Sequence, residues 1–83
     1  MGKHTRTLKA VFADPTRANI KRRDIESLLR HVNAEITEGS GSRVRVALNG
    51  RKATFHRPHP RPETSAGAVQ SVRNFLRQAG VTP

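Results

Sequence analysis

The strongest constraint on the fold is a pair of alternating segments joined by Asn49-Gly50. Residues 43–48 read Arg-Val-Arg-Val-Ala-Leu, so charged and apolar side chains alternate as they do in a strand with one buried face. Asn-Gly favours a two-residue type I′ turn, because both central residues of that turn need a positive φ. Residues 51–56 then return as the partner strand. The pattern predicts an antiparallel hairpin over residues 43–56.

A two-residue turn also determines which side chains share each face of this hairpin. Leu48 is predicted to face Arg51, and counting outward from the turn places Arg43 opposite His56. The inner face is predicted to contain Val44, Val46, Leu48, Ala53 and Phe55. The outer face is predicted to contain Arg43, Arg45, Lys52, Thr54 and His56. The outer face is therefore expected to be a cationic surface with one imidazole.

Two amphipathic helices and a short strand are predicted around the hairpin. Residues 21–32 and 65–79 each repeat apolar residues at the spacing of one helix face. The first apolar face contains Ile25, Leu28, Leu29 and Val32, and the second contains Val69, Val72, Leu76 and Ala79, with Phe75 beside it. Gly80 suits a left-handed C-terminal cap. A strand over residues 34–38, with Ile36 inward, completes an α–β–β–β–α order and an α+β domain.

The segments outside these elements are predicted to be less regular. Residues 1–18 are expected to form a basic arm, partly disordered, ahead of a folded domain over residues 19–83. Within the arm, residues 7–13 suit one helical turn, which Asp14-Pro15 ends because the residue before proline avoids the α region. Three prolines predict an extended loop over residues 57–62, since each removes a backbone donor.

Composition narrows the class of partner. Sixteen Lys and Arg against six Asp and Glu give a net charge of +10 on 83 residues, which favours a polyanionic partner. The absence of cysteine excludes disulfides and thiolate zinc sites and fits a reducing, cytoplasmic compartment. No apolar run approaches the roughly 18 residues of a membrane span. Neither a membrane nor a small-molecule cofactor is expected.

The outer face of the hairpin is the expected contact for nucleic acid. Residues 43–61 hold six Lys or Arg and no carboxylate, whereas a surface that is merely solvated normally mixes both signs. No aromatic side chain is placed on this face to stack a base, which disfavours single-strand readers of the RRM or OB type. Recognition of shape and backbone fits these residues better.

Four stretches of the chain, taken in order, resemble HicA-type toxins. They are Arg22-Arg-Asp-Ile-Glu-Ser-Leu-Leu29, Gly41-Ser42 before a strand, Arg57-Pro-His-Pro60, and Ser71-Val-Arg-Asn-Phe-Leu-Arg-Gln-Ala-Gly80. The resemblance covers roughly residues 20–82. It implies a fold like the double-stranded-RNA-binding domain, with a three-stranded antiparallel sheet and two helices on one face. It also implies a toxin that cleaves mRNA without a metal and is neutralised by a HicB-like antitoxin.

The resemblance departs from the family at one position that matters for catalysis. Many members read Gly-Ser-His, with the histidine taken as catalytic, whereas this chain reads Gly41-Ser42-Arg43. Arginine stays protonated at neutral pH and is a poor general base, although it binds phosphate well. We therefore expect His56, opposite Arg43, to supply the imidazole, and His59 to be the second acid–base group. The expected RNA-binding residues are Ser42, Arg43, Arg45, Lys52 and Arg57.

Three functions remain open from the sequence. The first is the HicA-like endoribonuclease, which predicts growth arrest on expression alone and a neighbouring antitoxin gene. The second is a non-catalytic RNA-binding module, favoured by arginine at position 43. The third is a basic structural protein of the ribosome or nucleoid, which predicts co-purification with those particles and no toxicity. A metal site is not expected, because His56 and His59 lack further ligands nearby.

Overall fold

A computed structural model of the chain describes residues 2–41, 43–56 and 63–83. Its elements, in chain order, are α1 (Lys3–Val11), β1 (Ile20–Lys21), α2 (Arg22–His31), β2 (Glu35–Glu38), β3 (Arg43–Leu48), β4 (Arg51–His56), β5 (Glu63–Thr64) and α3 (Ala66–Gln78). From α2 to α3 the chain contains the predicted helices and three-stranded antiparallel sheet, and the fold is α+β. None of its described helices is long and apolar enough to cross a membrane.

The three-stranded sheet has the order β2-β3-β4, and the register between β3 and β4 is the predicted one. Arg43 pairs with His56 and Leu48 with Arg51, so the hairpin turns at Asn49-Gly50. The φ angles of these two residues are 51° and 80°, as a type I′ turn requires. Side chains along β3 alternate between buried and exposed, apart from the half-buried Ala47 near the turn. The predicted inner and outer faces of the hairpin are confirmed.

The core lies between the inner face of the sheet and the helices. Val44, Val46 and Leu48 of β3 are buried together with the predicted apolar faces of α2 and α3. Phe55 of β4 meets Phe75 of α3 edge to face, with ring centroids 5.8 Å apart and planes at 82°. This contact is one of those that attach α3 to the second strand of the hairpin. The helices α2 and α3 therefore cover one face of the sheet and leave the other face in solvent.

The C-terminal end of α3 is also attached to the hairpin turn. Gly80 has a φ of 85°, which confirms the predicted left-handed cap. The side-chain amide of Asn49 donates a hydrogen bond of 2.8 Å to the carbonyl oxygen of Ala79. Asn49 therefore acts twice, because it adopts the left-handed backbone of the turn and also satisfies a carbonyl at the helix end.

The N-terminal segment is more ordered than the predicted single turn. The helix α1 begins at Lys3 and ends at Val11, and Val11 is fully buried. Arg73 of α3 holds the end of this helix, because its Nε donates to the Val11 carbonyl (3.0 Å) and its Nη2 to the Ala13 carbonyl (2.8 Å). Helix formation here depends on contacts with α2 and α3, which a local apolar pattern of three residues did not reveal.

A second, two-stranded sheet was not predicted. Ile20 of β1 pairs with Thr64 of β5, and Lys21 pairs with Glu63, in antiparallel register. Each strand has two residues, which is too short to produce an alternating pattern in the sequence. The pairing joins the residues before α2 to those before α3. The extended loop predicted over residues 57–62 lies outside the described residues.

Candidate nucleic-acid interface

The outer face of the three-stranded sheet is organised in three rows across the strands. Arg43 and His56 form the first row, at the end far from the hairpin turn. The second row contains Thr37, Arg45 and Thr54, and the third contains Glu35, Ala47 and Lys52. Successive rows are two residues apart along each strand, about 7 Å. All these side chains except Ala47 are exposed, so the rows form one accessible surface.

Arg43 and His56 are direct cross-strand neighbours on this face. Side chains at such positions have Cβ atoms about 4.5–5.5 Å apart, close enough for both to contact one phosphodiester group. A guanidinium group binds phosphate oxygens through its fork of N–H donors, and an imidazole is able to take up or release a proton near neutral pH. The pair therefore combines a phosphate-binding group with an acid–base group in one place.

His56 also borders an apolar cavity of about 60 Å³ between the sheet, α2 and α3. Apolar side chains line most of it, including Ile25, Leu29 and Val72. The hydroxyl of Thr64 is buried there with no hydrogen-bond partner among the described residues. The cavity lies on the inner side of the sheet, whereas the His56 side chain is exposed on the outer face.

Comparison with known families identifies the larger part of the chain. The sequence profile described as HicA toxin of bacterial toxin-antitoxin matches residues 22–81, well over half of the sequence. The chain belongs to the HicA toxin family. The matched region begins with α2 and includes the whole three-stranded sheet and α3, whereas α1 and β1 precede it. Neither the curated proteins nor the solved structures include a significant match to this chain.

This HicA-family toxin carries a carboxylate on the outer face that the sequence reading missed. Glu35 and Thr37 belong to β2, and pairing with β3 places them beside Ala47 and Arg45. A shallow concavity lined in part by Glu35, Arg45 and Lys52 results. The sequence predicts that Ile36 faces inward, but it does not predict the register between β2 and β3 that brings Glu35 and Thr37 beside the cationic residues. The cationic face is therefore bounded by one acidic group at its β2 edge.

The predicted site residues fall into two groups. Arg43, Arg45, Lys52 and His56 lie together on the outer face, and all are exposed. Ser42, Arg57 and His59 lie outside the described residues. Within the described ranges, no three histidine or acidic side chains come together in a way that would hold a metal ion.

Proposed function

We propose that this HicA-family toxin is a metal-independent endoribonuclease that cleaves mRNA on the outer face of its sheet. The observation that supports this most is the pairing of Arg43 with His56 at one end of a cationic surface. An acid–base group beside a phosphate-binding group is what cleavage of a phosphodiester requires. Membership of a toxin family supplies the biological setting for such an activity.

The proposed reaction uses the 2′-hydroxyl of the RNA as the nucleophile. His56 accepts the proton of that hydroxyl as the O2′–P bond forms and the bond from phosphorus to the 5′-oxygen breaks. The leaving oxygen receives a proton from a general acid, for which His59 remains the predicted group. Arg43 stabilises the negative charge that accumulates on the phosphoryl oxygens. The products are a 2′,3′-cyclic phosphate and a 5′-hydroxyl.

Arg45 and Lys52 are proposed to hold the neighbouring phosphates. They occupy the second and third rows, so the cationic groups continue from the Arg43 and His56 pair toward the hairpin turn. Glu35 lies at the β2 edge of the third row, where its carboxylate repels phosphate. We therefore infer that the RNA backbone follows β3 and β4 and avoids β2.

The test of this function is cleavage by His56 variants. His56→Ala and His56→Gln are expected to cleave a defined mRNA about 10²–10⁴-fold more slowly, the usual contribution of one acid–base group. Binding of a 2′-O-methyl RNA, which lacks the nucleophile, should change little in both variants. Gln78→Ala, an exposed position on α3 away from the outer face, is the control and should cleave normally. Undiminished cleavage by both His56 variants would contradict the assignment.

Variants at position 43 separate the roles of the two partners. Arg43→Lys should retain part of the activity because the positive charge remains, whereas Arg43→Gln should lose most of it. Arg43→His introduces the residue found in many members of the family. If Arg43 only binds phosphate, this variant should be slower than the natural protein. Faster cleavage by Arg43→His would place the family's catalytic position at residue 43 and remove His56 from the reaction.

A second candidate function is RNA binding without cleavage. The observation that favours it is arginine at position 43, because an arginine does not act as a general base at neutral pH. This function predicts retained affinity for RNA, no products with a 2′,3′-cyclic end, and no effect of His56→Ala on growth arrest. The cleavage assay above distinguishes the two functions directly.

We further propose that a HicB-like antitoxin neutralises the toxin by covering the outer face of the sheet. A surface with Arg43, Arg45 and Lys52 exposed is complementary to an acidic patch on such a partner. Arg45→Glu should therefore weaken both RNA and antitoxin binding. Arg30→Glu, an exposed position on α2, is the control. Loss of only one ligand on Arg45→Glu would show that the two partners use separate surfaces.

A further inference from the structure

A second cationic surface lies between α1 and the segment that leads into α2. It is an open groove of about 540 Å³, and no residue of the three-stranded sheet lines it. The basic residues that line it are Lys3, Arg6, Arg17, Lys21 and Arg23. Two come from α1, two from residues 17–21 and one from the first turn of α2. The groove thus belongs mostly to the part of the chain that precedes the HicA family match.

Most of the positive charge of this groove is not neutralised by the described side chains. The one carboxylate among the described residues that line it, Asp24, forms an ion pair with Lys3 at 3.2 Å. Arg6, Arg17, Lys21 and Arg23 are exposed and have no ion pair with any described residue. Four exposed cations around one groove repel each other. A polyanion that binds there is attracted to the cations and also reduces the repulsion between them.

Both walls of the groove are held by the same residues of α3. Arg73 donates to the carbonyls of Val11 and Ala13 and, at 3.1 Å, to the hydroxyl of Thr16. Gln70 donates a further hydrogen bond of 3.3 Å to Thr16. These bonds fix the end of α1 and the start of the segment that returns to α2. The backbone that carries the cationic side chains is therefore already ordered, so less conformational entropy of the protein is lost when a ligand binds.

We propose that this groove binds the phosphodiester backbone of RNA as a second contact outside the HicA family domain. The proposal rests on RNA being the ligand of the toxin, as proposed above. A protein partner fits the groove less well, because protein interfaces have an apolar or aromatic centre. Among the described residues that line it, the aliphatic ones are Ala10 and Ile20, and Ile20 is 8% exposed. Separate cationic groups around a polar groove suit a chain of phosphates.

The two surfaces together predict a dependence on RNA length. The outer face of the sheet and the groove share no lining residue, so a short oligonucleotide is expected to occupy one of them at a time. An RNA long enough to reach both gains a second, intramolecular contact and binds more tightly. The groove thus extends the footprint of the toxin and favours long RNA over short fragments.

The experiment compares two triple variants with equal loss of charge. Arg6→Gln, Arg17→Gln and Arg23→Gln are combined to remove three cations from the groove. Lys9→Gln, Arg30→Gln and Arg77→Gln are combined as the control, because these residues are exposed and line neither surface. Affinity for 2′-O-methyl RNA of about 6 and about 30 nucleotides is measured over a range of salt concentrations. Thermal denaturation confirms that each variant is folded.

We expect the groove variant to bind the long RNA about 100-fold more weakly near 0.1 M salt, with a salt slope reduced by about 2. The control variant should lose much less, and the short RNA should distinguish the two variants little. Equal losses in both variants would overturn the proposal, as would loss of affinity for an acidic antitoxin without loss for RNA.

Arg45→Gln with Lys52→Gln tests the sheet face separately. Normal RNA binding by that double variant, with a loss in the groove variant, would refute the proposed sheet interface and support the groove.

Discussion

The outer face of the sheet and the groove beside α1 are both cationic, yet they are assembled in different ways. On the sheet, Arg43 meets His56 because a two-residue turn sets the register of a single hairpin. In the groove, Arg6 and Arg23 line one concavity because α1 packs against α2 while Arg73, 50 residues and more away along the chain, holds the end of α1. The sheet face is formed by residues close in sequence, whereas the groove depends on packing between residues far apart in sequence.

This difference has a consequence for function and stability. The register of the sheet face depends on few residues outside β3 and β4, so surface substitutions there should change activity while leaving the fold intact. The groove depends on hydrogen bonds to main-chain carbonyls of α1, and changes in those bonds should affect stability and RNA binding together. Variants that break one surface and spare the other provide the clearest tests.

The largest effect is expected for Arg73→Met, which keeps the aliphatic stem and removes the guanidinium. The carbonyls of Val11 and Ala13 lose a charged donor, so unfolding should become easier by about 3 kcal/mol. For a domain of this size the Tm should fall by about 12–24 °C. Arg73→Lys is the control and should lose less stability, because its ammonium group replaces some of the N–H donors of the guanidinium. Hydrogen exchange should show α1 opening first, with β3 and β4 protected; uniform loss of protection would contradict this.

The next largest effect concerns the hairpin. Asn49→Ala should lower the free energy of unfolding by about 2 kcal/mol, because alanine disfavours the positive φ and cannot donate to the Ala79 carbonyl. Asn49→Gly restores the backbone conformation and should lose about 1 kcal/mol, the hydrogen bond alone. Urea denaturation measures both. RNA binding in the groove should stay normal in each variant. Equal losses for alanine and glycine would show that the backbone conformation contributes nothing.

A smaller effect is expected where α1 meets the end of α2. His4 and His31 are stacked, with ring centroids 4.2 Å apart and planes at 12°. His31→Ala should lower the free energy of unfolding by about 1 kcal/mol through loss of this contact. In a double-mutant cycle with His4→Ala, the two losses should be less than additive. Full additivity would mean that the rings do not stabilise each other.

The smallest effect on stability is expected for Asp24→Asn. The ion pair with Lys3 is partly exposed, so its loss should change the free energy of unfolding by no more than about 0.5 kcal/mol. The groove gains one net positive charge, and long RNA should bind a few-fold more tightly at low salt. Unchanged or weaker RNA binding, measured beside Glu38→Gln as a control on another exposed carboxylate, would argue against phosphate in the groove.

Much of the fold was predictable because its signals are local. The Asn49-Gly50 turn, the alternation along β3 and the apolar faces of α2 and α3 each involve residues close in sequence. The first strand of the sheet was predicted with Ile36 inward, but no turn of defined length sets its register with β3, so the position of Glu35 beside the cationic residues was not predicted. The pairing of β1 with β5 joins residues more than 40 positions apart and left no pattern to detect.

The candidate site divides in the same way. The approach of Arg43 to His56 was predictable, since strand register converts sequence distance from the turn into spatial distance. The groove was not, although its residues form a visible basic block near the N-terminus. Charge in a sequence shows how many cations are present and leaves open whether they face one another.

The sequence by itself determined the hairpin, the two long helices and the cationic outer face, because turn chemistry and side-chain periodicity act over a few residues. The likeness to a HicA toxin was also visible in the sequence, in four stretches that resemble the family. Only the tertiary structure decided that the N-terminal segment forms α1 and packs against α3. That choice depends on Arg73 reaching two carbonyls 60 and 62 residues earlier in the chain and on burial of Val11. Such contacts stabilise the protein only once distant parts of the chain have come together. No pattern among neighbouring residues therefore predicts them.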